Sequence, residues 1–562
     1  MRLEACADRN DKINTSNQSR PMTTFAHLTV LLIEPHAGMR SSMHNMLNLC
    51  GINKIEHAVS SGTAIRPLKA KTFDIVLCEY DLGDGQDGQQ LLEDLRHNNL
   101  IPLSTVFFMV TAERSYEKVV SAAELAPADY ILKPFTADIL LDRIGRAVER
   151  RVLFLPIYHL MEQGSLREAV AGCLAGEARE QRYALDFMRL RAELHVTLGE
   201  PAIAEPIYTQ LFEMRAVAWA RLGLAKALFM QNRLGEAESL LSSLVDQNRK
   251  FLDAYDWLAK TYEANGELPR AQAVLAKAVA ISPHAVRRLR KLGEIAFENG
   301  DSETAEKALG QVVSKARFSE FRDPEDHVRL VRTLVSNGST QQAATVIRDL
   351  DKTLGGTAKG DTCRALSASM VHAHTGDTAR AVEELAKAVE ACRGSVGISS
   401  DIKMVLAKSC LQHDMEASAT EVMLEVMSNA TDNRALSKAM RIFEQAGRQD
   451  LADSVSKQSR RRVVELVSSG AEKAKLGDYR GAVELMTEAV QKLPDNPQVV
   501  FNAAIAALKC LENMGWDDKL GGQARTYIDS ARRLDPANPR LAPLAELYQV
   551  IARKYGVKQV TF

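Results

Sequence analysis

Two fold classes follow one another along this chain. The first is an α/β domain, a doubly wound five-stranded parallel sheet. The second is an all-α superhelix of stacked helical hairpins. Three observations predict this. Between His27 and about Arg151, short apolar runs alternate with amphipathic stretches. Beyond Arg151 the β signals stop. In the helical remainder, residues of one type recur at a step of 34.

The composition fits a globular chain of 562 residues. Lys plus Arg is 71 and Asp plus Glu is 72, a formal net charge of −1, which excludes a basic nucleic-acid coat and a strongly acidic tail protein. Hydrophobic residues make up 46 %. With 32 Gly and 17 Pro the chain is low in both, as a helix-rich structure requires. The eight cysteines are scattered with no CxxC pair, and several lie in apolar helical stretches. They read as small hydrophobes in a reducing compartment, and the expected location is cytoplasmic. No run approaches the length of a membrane helix. Residues 1–25 hold no apolar core of a secretory signal, and the polar span 7–24 is expected to be disordered. Met22 competes with Met1 as the translation start.

The expected strands are 29–33, 54–58, 73–78, 105–110 and 130–132. Helical patterns at 38–50, 88–96, 115–125 and 137–150 separate or follow them. Ligands of such sheets sit at the carboxyl ends of the strands, so chemistry is sought there. The last helix is expected to continue through 154–160 as a lever into the second region, with Pro156 as a potential break.

In the second region Ala237, Ala271 and Ala305 keep the step of 34, as do Leu224, Leu258 and Leu292. Ala225, Ala259 and Gly293, and Leu241, Leu275 and Leu309, follow it too. Small residues let two antiparallel helices approach, and large ones fill the space between neighbouring pairs. This 34-residue helix-turn-helix resembles the tetratricopeptide repeat. Its clearest copy is Tyr255, Leu258, Ala259, Tyr262, Gly266, Ala271, Leu275, Ala278 and Pro283. Further copies centre on Ala381, Ala482 and Ala524, and weaker ones on Ala204, Ala343 and Ala419. The step of 42 from Ala482 to Ala524 implies an insertion around 515–522. About nine or ten hairpins are expected, enough for a continuous superhelical core. Two adjacent glycines at 355 and 356 suggest a long loop over 355–361.

At the strand ends stand Glu79 of FDIVLCEYDLG, Thr111 of Val110-Thr111-Ala112, and Lys133 of YILKPF. Glu34 follows the first strand, with Pro35 and His36 next and Arg40 further on. A carboxylate, a hydroxyl and a lysine converging there resemble the flavodoxin-like receiver domain of two-component response regulators, over about residues 27–150. Together with the repeats, the chain resembles response regulators with a tetratricopeptide-repeat output region, and LGDGQDGQQLLEDL also looks like that subgroup. The domains are then a disordered segment 1–25, an atypical receiver 26–151 and a solenoid 152–562.

The resemblance implies roles. In the family a strand-3 Asp accepts a phosphoryl group from a histidine kinase, and two acids after strand 1 join it in holding Mg²⁺. A lysine pairs with the phosphoryl oxygens, a Thr moves to bond them, and an aromatic swings inward. Those last three roles fall on Lys133, Thr111 and Tyr130. Two departures matter. Glu79 stands where the phosphoacceptor Asp is expected, and Pro35, which has no side-chain oxygen, replaces the second metal-binding acid. Glu34 keeps the first. Glu34 and Glu79 are then the metal candidates, with Mg²⁺ binding weakened or lost. Glu79, one methylene longer than Asp, reaches toward the phosphoryl position and is expected to pair with Lys133, an interaction of about 1 kcal/mol if partly exposed. The expectation is a pseudo-receiver near its active-like conformation. Asp81, Asp84 and Asp87 are substitute acceptors in principle, but read as turn residues.

Other signals are weaker. Gly355 to Gly360 has phosphate-loop spacing but continues as Asp361-Thr362 where Lys-Ser/Thr is needed. His372 and His374 lie on different helix faces. Basic clusters at Arg287, Arg288, Arg290 and Lys291 and at Arg460, Arg461 and Arg462 read by default as solvated faces. The family's concave repeat surface implies a partner groove of Asp253, Asp256, Lys260, Glu263, Arg287, Arg290, Glu294 and Phe297, an acidic patch beside a basic one. Trp219 and Phe229 extend it with apolar area or belong to the core. No nucleophile–base or metal cluster appears in the repeats, so the chain reads as no enzyme. It reads as a phosphorelay signalling adaptor that binds a protein partner, and through its receiver a sensor histidine kinase, without nucleic acid or membrane. Two alternatives stay open: a phosphorylation-competent regulator, and a competitor that docks on a sensor kinase and blocks phosphotransfer.

Overall fold

A computed structural model describes residues 25–83, 87–98, 100–112, 129–163, 165–214, 217–249, 251–283, 285–317, 322–393, 397–430, 433–535 and 538–557. The expected helix at 115–125, the polar span 7–24, Met22 and Asp84 lie outside them. The strands are β1 (Thr29–Ile33), β2 (Lys54–Ala58), β3 (Ile75–Glu79), β4 (Val106–Thr111) and β5 (Asp129–Leu132). They form one parallel sheet in the order β2-β1-β3-β4-β5. Helices α1 (Ala37–Leu49), α2 (Ser61–Ala70), α3 (Gly88–His97) and α4 (Ala137–Glu162) belong to this domain.

Strand alternation divides the apolar residues between two faces. Leu31, Ile33, Val76, Cys78, Phe107 and Met109 pack on one side with Ile65 of α2 and Leu92 of α3. Val30, Leu32, Ile75, Leu77, Phe108 and Val110 pack on the other with Leu47 of α1 and Leu140 and Ile144 of α4. With both faces covered, β3 and β4 are buried along their whole length, so they read as unbroken apolar runs.

The strands β1 and β2 coincide with the expectation. The expected 73–78 and 105–110 shift toward their carboxyl ends, because Asp74 and Thr105 bind at the foot of the sheet. The Asp74 carboxylate accepts from Thr29 N at 2.8 Å, Thr29 Oγ1 at 2.9 Å and Arg151 Nη2 at 2.6 Å. Thr105 Oγ1 donates to the Phe73 carbonyl at 2.8 Å. The shift makes Glu79 and Thr111 the last residues of their strands.

The expected boundary at 151/152 falls inside helix α4. It runs unbroken from Ala137 through 151 and past Pro156 to Glu162. Proline removes one helical N–H bond, yet burial of both neighbouring faces holds the helix together. Phe154 and Ile157 are buried, and the Phe154 ring stacks on Phe187 at 4.2 Å. The receiver therefore ends, and the array begins, within a single continuous helix.

Among the described residues from Ala184 to Leu534 the helices pair into ten hairpins, the long helix Gln449–Lys475 serving two of them. Ala204, Ala237, Ala271, Ala305, Ala343, Ala381, Ala419, Ala482 and Ala524 are all fully buried. These are the close-approach positions, so even the weak copies are true repeats. The expected long loop is corrected, and the expected insertion takes the form of longer helices. At 355–361 only Gly355, Gly356 and Thr357 separate helices Thr340–Leu354 and Ala358–His374, because Thr357 caps the second by accepting from Gly360 N at 3.0 Å. The extra residues around 515–522 lengthen helices Pro497–Met514 and Asp518–Leu534, and Gly521 fits under the Trp516 ring. The seven described cysteines are free and buried, and burial pushes the Cys173 and Cys410 thiols up to about 12. As expected, they behave as apolar fillers.

A test of the close-approach packing is Gly223→Ala. An added Cβ would lie 2.1 Å from the Tyr208 ring, and Tyr208 is buried. Overpacking of about 1–3 kcal/mol should outweigh the roughly 1 kcal/mol gain in helix propensity. The melting temperature of the array should fall, whereas Gly235→Ala, with open space at its Cβ, should raise it or leave it unchanged.

Candidate functional site

The parallel sheet brings Glu34, Glu79, Thr111 and Lys133 to one edge. Glu34 follows β1, Glu79 and Thr111 end β3 and β4, and Lys133 follows β5. Lys133 N donates to the Thr111 carbonyl at 2.8 Å, extending the β4–β5 ladder by one bond, so the lysine leaves the sheet directly beside Thr111. Its ammonium lies between two carboxylates. It donates to Glu34 Oε2 at 2.7 Å and, in a short contact, to Glu79 Oε2.

The second oxygen of each acid is also engaged. Glu34 Oε1 accepts from His36 N at 3.0 Å. Glu79 Oε1 accepts from Tyr80 N at 2.9 Å and Asp81 N at 3.2 Å. Arg40 pins the turn, donating from Nη1 to the Glu34 and Pro35 carbonyls at 2.7 and 3.1 Å. Side-chain exposure is 0 % for Glu34, 8 % for Glu79 and 11 % for Lys133. The surface-pair magnitude expected from sequence therefore does not apply, since buried charges depend on their partners far more strongly. Burial opposes the Lys133 charge, but hydrogen bonds and the charges of Glu34 and Glu79 outweigh it and raise its pKa. Tyr130, on β5 opposite Met109, packs its side chain against the apolar layer that includes Leu91, Leu92 and Met109.

These strand ends are matched by the model of the response regulator receiver domain, over residues 30–145. Chemotaxis protein CheY-3 of Vibrio cholerae serotype O1 is 31 % identical over 124 residues, which cover 22 % of this chain and 94 % of that protein. The chain belongs to the response regulator family. Chemotaxis protein CheY of Pseudomonas aeruginosa is 28 % identical over 123 residues, 22 % of this chain and 98 % of that one. Beyond the receiver, the tetratricopeptide repeat model matches residues 189–250 and 258–318 of this response regulator. The C-terminal part of a TPR repeat-containing protein of Cytophaga hutchinsonii has 15 % identity and a TM-score of 0.35, over 43 % of this chain and 100 % of that one.

The donor set of this receiver does not fit a magnesium site. Pro35 supplies no side-chain oxygen, and every carboxylate oxygen of Glu34 and Glu79 already holds a donor. Mg²⁺ prefers an octahedral shell of oxygens. Among the described residues no group of three or more His, Cys, Asp or Glu gathers as such a set. Asp81 and Asp87 are turn residues, as read from sequence: Asp81 Oδ1 accepts from Gly83 N at 3.0 Å, and Asp87 caps α3 through Gln90 N at 2.8 Å.

The expected groove residues do converge. Asp253, Asp256, Lys260, Glu263, Arg287, Arg290 and Glu294 line one cavity of about 540 Å³, on helices Leu252–Ala264 and Val286–Glu298. Phe297 is outside the lining and lies under the Arg332 guanidinium, 4.1 Å from its carbon to the ring centre. The expected acidic patch beside a basic one is corrected, because the charges interleave. Arg288, read as a solvated-face residue, is buried and paired twice with Asp256, while Arg290 is paired twice with buried Asp326. Arg461 does lie on a solvated face, paired with Glu465. Sequence reasoning missed Lys226, Trp257 and Gln89 in the same lining. Lys226, Lys260 and Glu294 are 34 apart, so the repeat step was a signal for Lys226. Nothing in the sequence pointed to Gln89 of the receiver.

Lys133→Met should destabilise the receiver by about 3–5 kcal/mol, because two buried carboxylates lose their cation. Denaturant unfolding followed by receiver fluorescence or circular dichroism checks this, and adding Glu79→Gln should recover part of the loss. The raised Lys133 pKa contributes stability that is complete at neutral pH. It is lost as pH rises above the ordinary lysine value of roughly 10.4 and through the folded one. Lys133→Met should lack that alkaline loss.

Proposed function

We propose that this response regulator is a non-enzymatic signalling adaptor, in which an atypical receiver is coupled to a tetratricopeptide scaffold that binds a protein partner. It acts through protein–protein contact rather than DNA binding or catalysis. The observation that carries the reading is the Lys133 ammonium held between Glu34 and Glu79. In the family that lysine is kept for a phosphoryl group, and here a carboxylate of the chain already takes it. Glu79 imitates the modified Asp: it puts negative charge one methylene further out and draws Lys133 onto it. The inward packing of Tyr130 supports an active-like setting. Weak or absent Mg²⁺ binding follows from Pro35 and from the engaged carboxylates. The receiver docks on a sensor histidine kinase without completing normal transfer, and its fixed state is passed to the array through α4.

Purified full-length protein incubated with acetyl phosphate and Mg²⁺ should gain no acyl-phosphate, as read by intact mass. Stoichiometric phosphorylation of Glu79 would overturn the proposal. The double variant Pro35→Asp/Glu79→Asp, which rebuilds the family's acids, should become phosphorylated under the same conditions.

A further inference from the structure

The cavity lining is crowded with charge, but most of it is cancelled inside the protein. Asp256 holds Arg288 in two parallel bonds of 2.8 Å. Glu263 takes Lys291 at 2.7 Å, Glu294 takes Arg329 at 2.8 Å, and Arg290 turns to Asp326. What remains is Lys226, Lys260 and Arg287, which make no ion pair among the described residues, against the single carboxylate Asp253. The two lysines lie over aromatic faces. Their Nζ atoms are 5.2 and 4.3 Å from the Trp257 ring centre, and Lys260 is also 5.2 Å from that of Phe229. Burial lowers the pKa of both. Lys226 is half-buried, so a carboxylate brought to it would gain more than one at a fully exposed lysine, and the exposed Lys260 offers a second ammonium over the same ring.

Spacing narrows the ligand. Lys226 and Lys260 occupy the same position in successive repeats, on neighbouring helices Ala218–Met230 and Leu252–Ala264. Packed helices lie about 8–10 Å apart, which an extended chain covers in roughly three residues. The receiver supplies part of the wall, because Gln89 from the first turn of α3 lines the same cavity.

We propose that this cavity binds an acidic, extended segment of a partner protein. Carboxylates about three residues apart pair with Lys226 and Lys260, and Arg287 takes a further one. This rests on the reading of the array as a protein-binding scaffold, and names the chemistry of what it holds.

The test uses the full-length protein and fluorescein-labelled 15-residue peptides of repeating Glu-Gly-Ser, Gln-Gly-Ser and Lys-Gly-Ser, followed by fluorescence anisotropy at two salt concentrations. The glutamate peptide should bind, more weakly at high salt, and the glutamine peptide should not. Lys226→Gln/Lys260→Gln should lower the affinity by about tenfold or more. The control Lys307→Gln, outside this cavity, should leave it unchanged. Lys226→Glu/Lys260→Glu should lose the glutamate peptide and take the lysine peptide, a gain that misfolding cannot produce. Equal glutamate-peptide affinity in wild type and Lys226→Gln/Lys260→Gln, no binding by wild type, or competition by polyuridylate as effective as the peptide itself would each overturn the proposal. Such a failure would leave the phosphorylation result untouched. Acyl-phosphate on Glu79, conversely, would overturn the receiver reading without altering these affinities.

Discussion

Two carboxylates share one ammonium at the carboxyl edge of the sheet, and the charge balance of the strand ends depends on that arrangement. Glu34, Glu79 and Lys133 are all nearly out of water, so none can stay charged without the others. An Asp at position 79 would stop one methylene short. The longer side chain sends one oxygen to the ammonium and keeps the other on the Tyr80 and Asp81 backbone N–H groups. The pocket thereby contains its own anion and its own counter-cation.

Packed connections lead away from this pocket in two directions. At the carboxyl end of β3, α3 begins against the strand: Gly88 N donates to the Tyr80 carbonyl at 2.7 Å, and a Cβ on Gly88 would lie 2.4 Å from the Glu79 carbonyl oxygen. The next residue, Gln89, reaches the array's cavity. At the opposite end of the same strand, Arg151 joins Asp74 and the Ser104 carbonyl, clamping α4 to the foot of β3 and β4. Helix α4 then enters the array without a break, and Arg525 of helix Asp518–Leu534 donates to the Gln163 carbonyl at its end, at 3.0 Å. Receiver and array are thus joined through packed elements at the cavity wall and at the junction.

Much of this was legible because the period of each element is written in its residues. Apolar alternation marked β1 and β2 to the residue, and the 34-residue step located the buried alanines even where the larger residues had drifted. The shifts at β3 and β4 were not legible, since Asp74 and Thr105 left the strands for partners on Thr29 and Phe73. Pro156 was read as a potential break. It was kept helical by aromatic stacking of Phe154 with Phe187, which lies 33 residues further on. Glycines at 355 and 356 suggested a long loop, whereas the Thr357 cap restarts the helix at once. Lys226 lies one repeat before Lys260, but a lone lysine in an apolar helix carries no sign of which face it takes until the helices pack.

By itself the sequence determined the two folds, their order, and the identity of the groups at the strand ends, including the replacement of two acids by Glu79 and Pro35. Those depend on local period and residue type. Only the tertiary structure decided which charges stay available. Glu34 joins Glu79 on Lys133, Asp256 is taken by Arg288, and Arg290 leaves the groove for Asp326, while Lys226 and Lys260 keep no carboxylate among the described residues. Charge pairing is set by distances of a few ångströms between side chains on different elements and by how far each pair is withdrawn from water. Neither quantity exists until the helices and strands have packed.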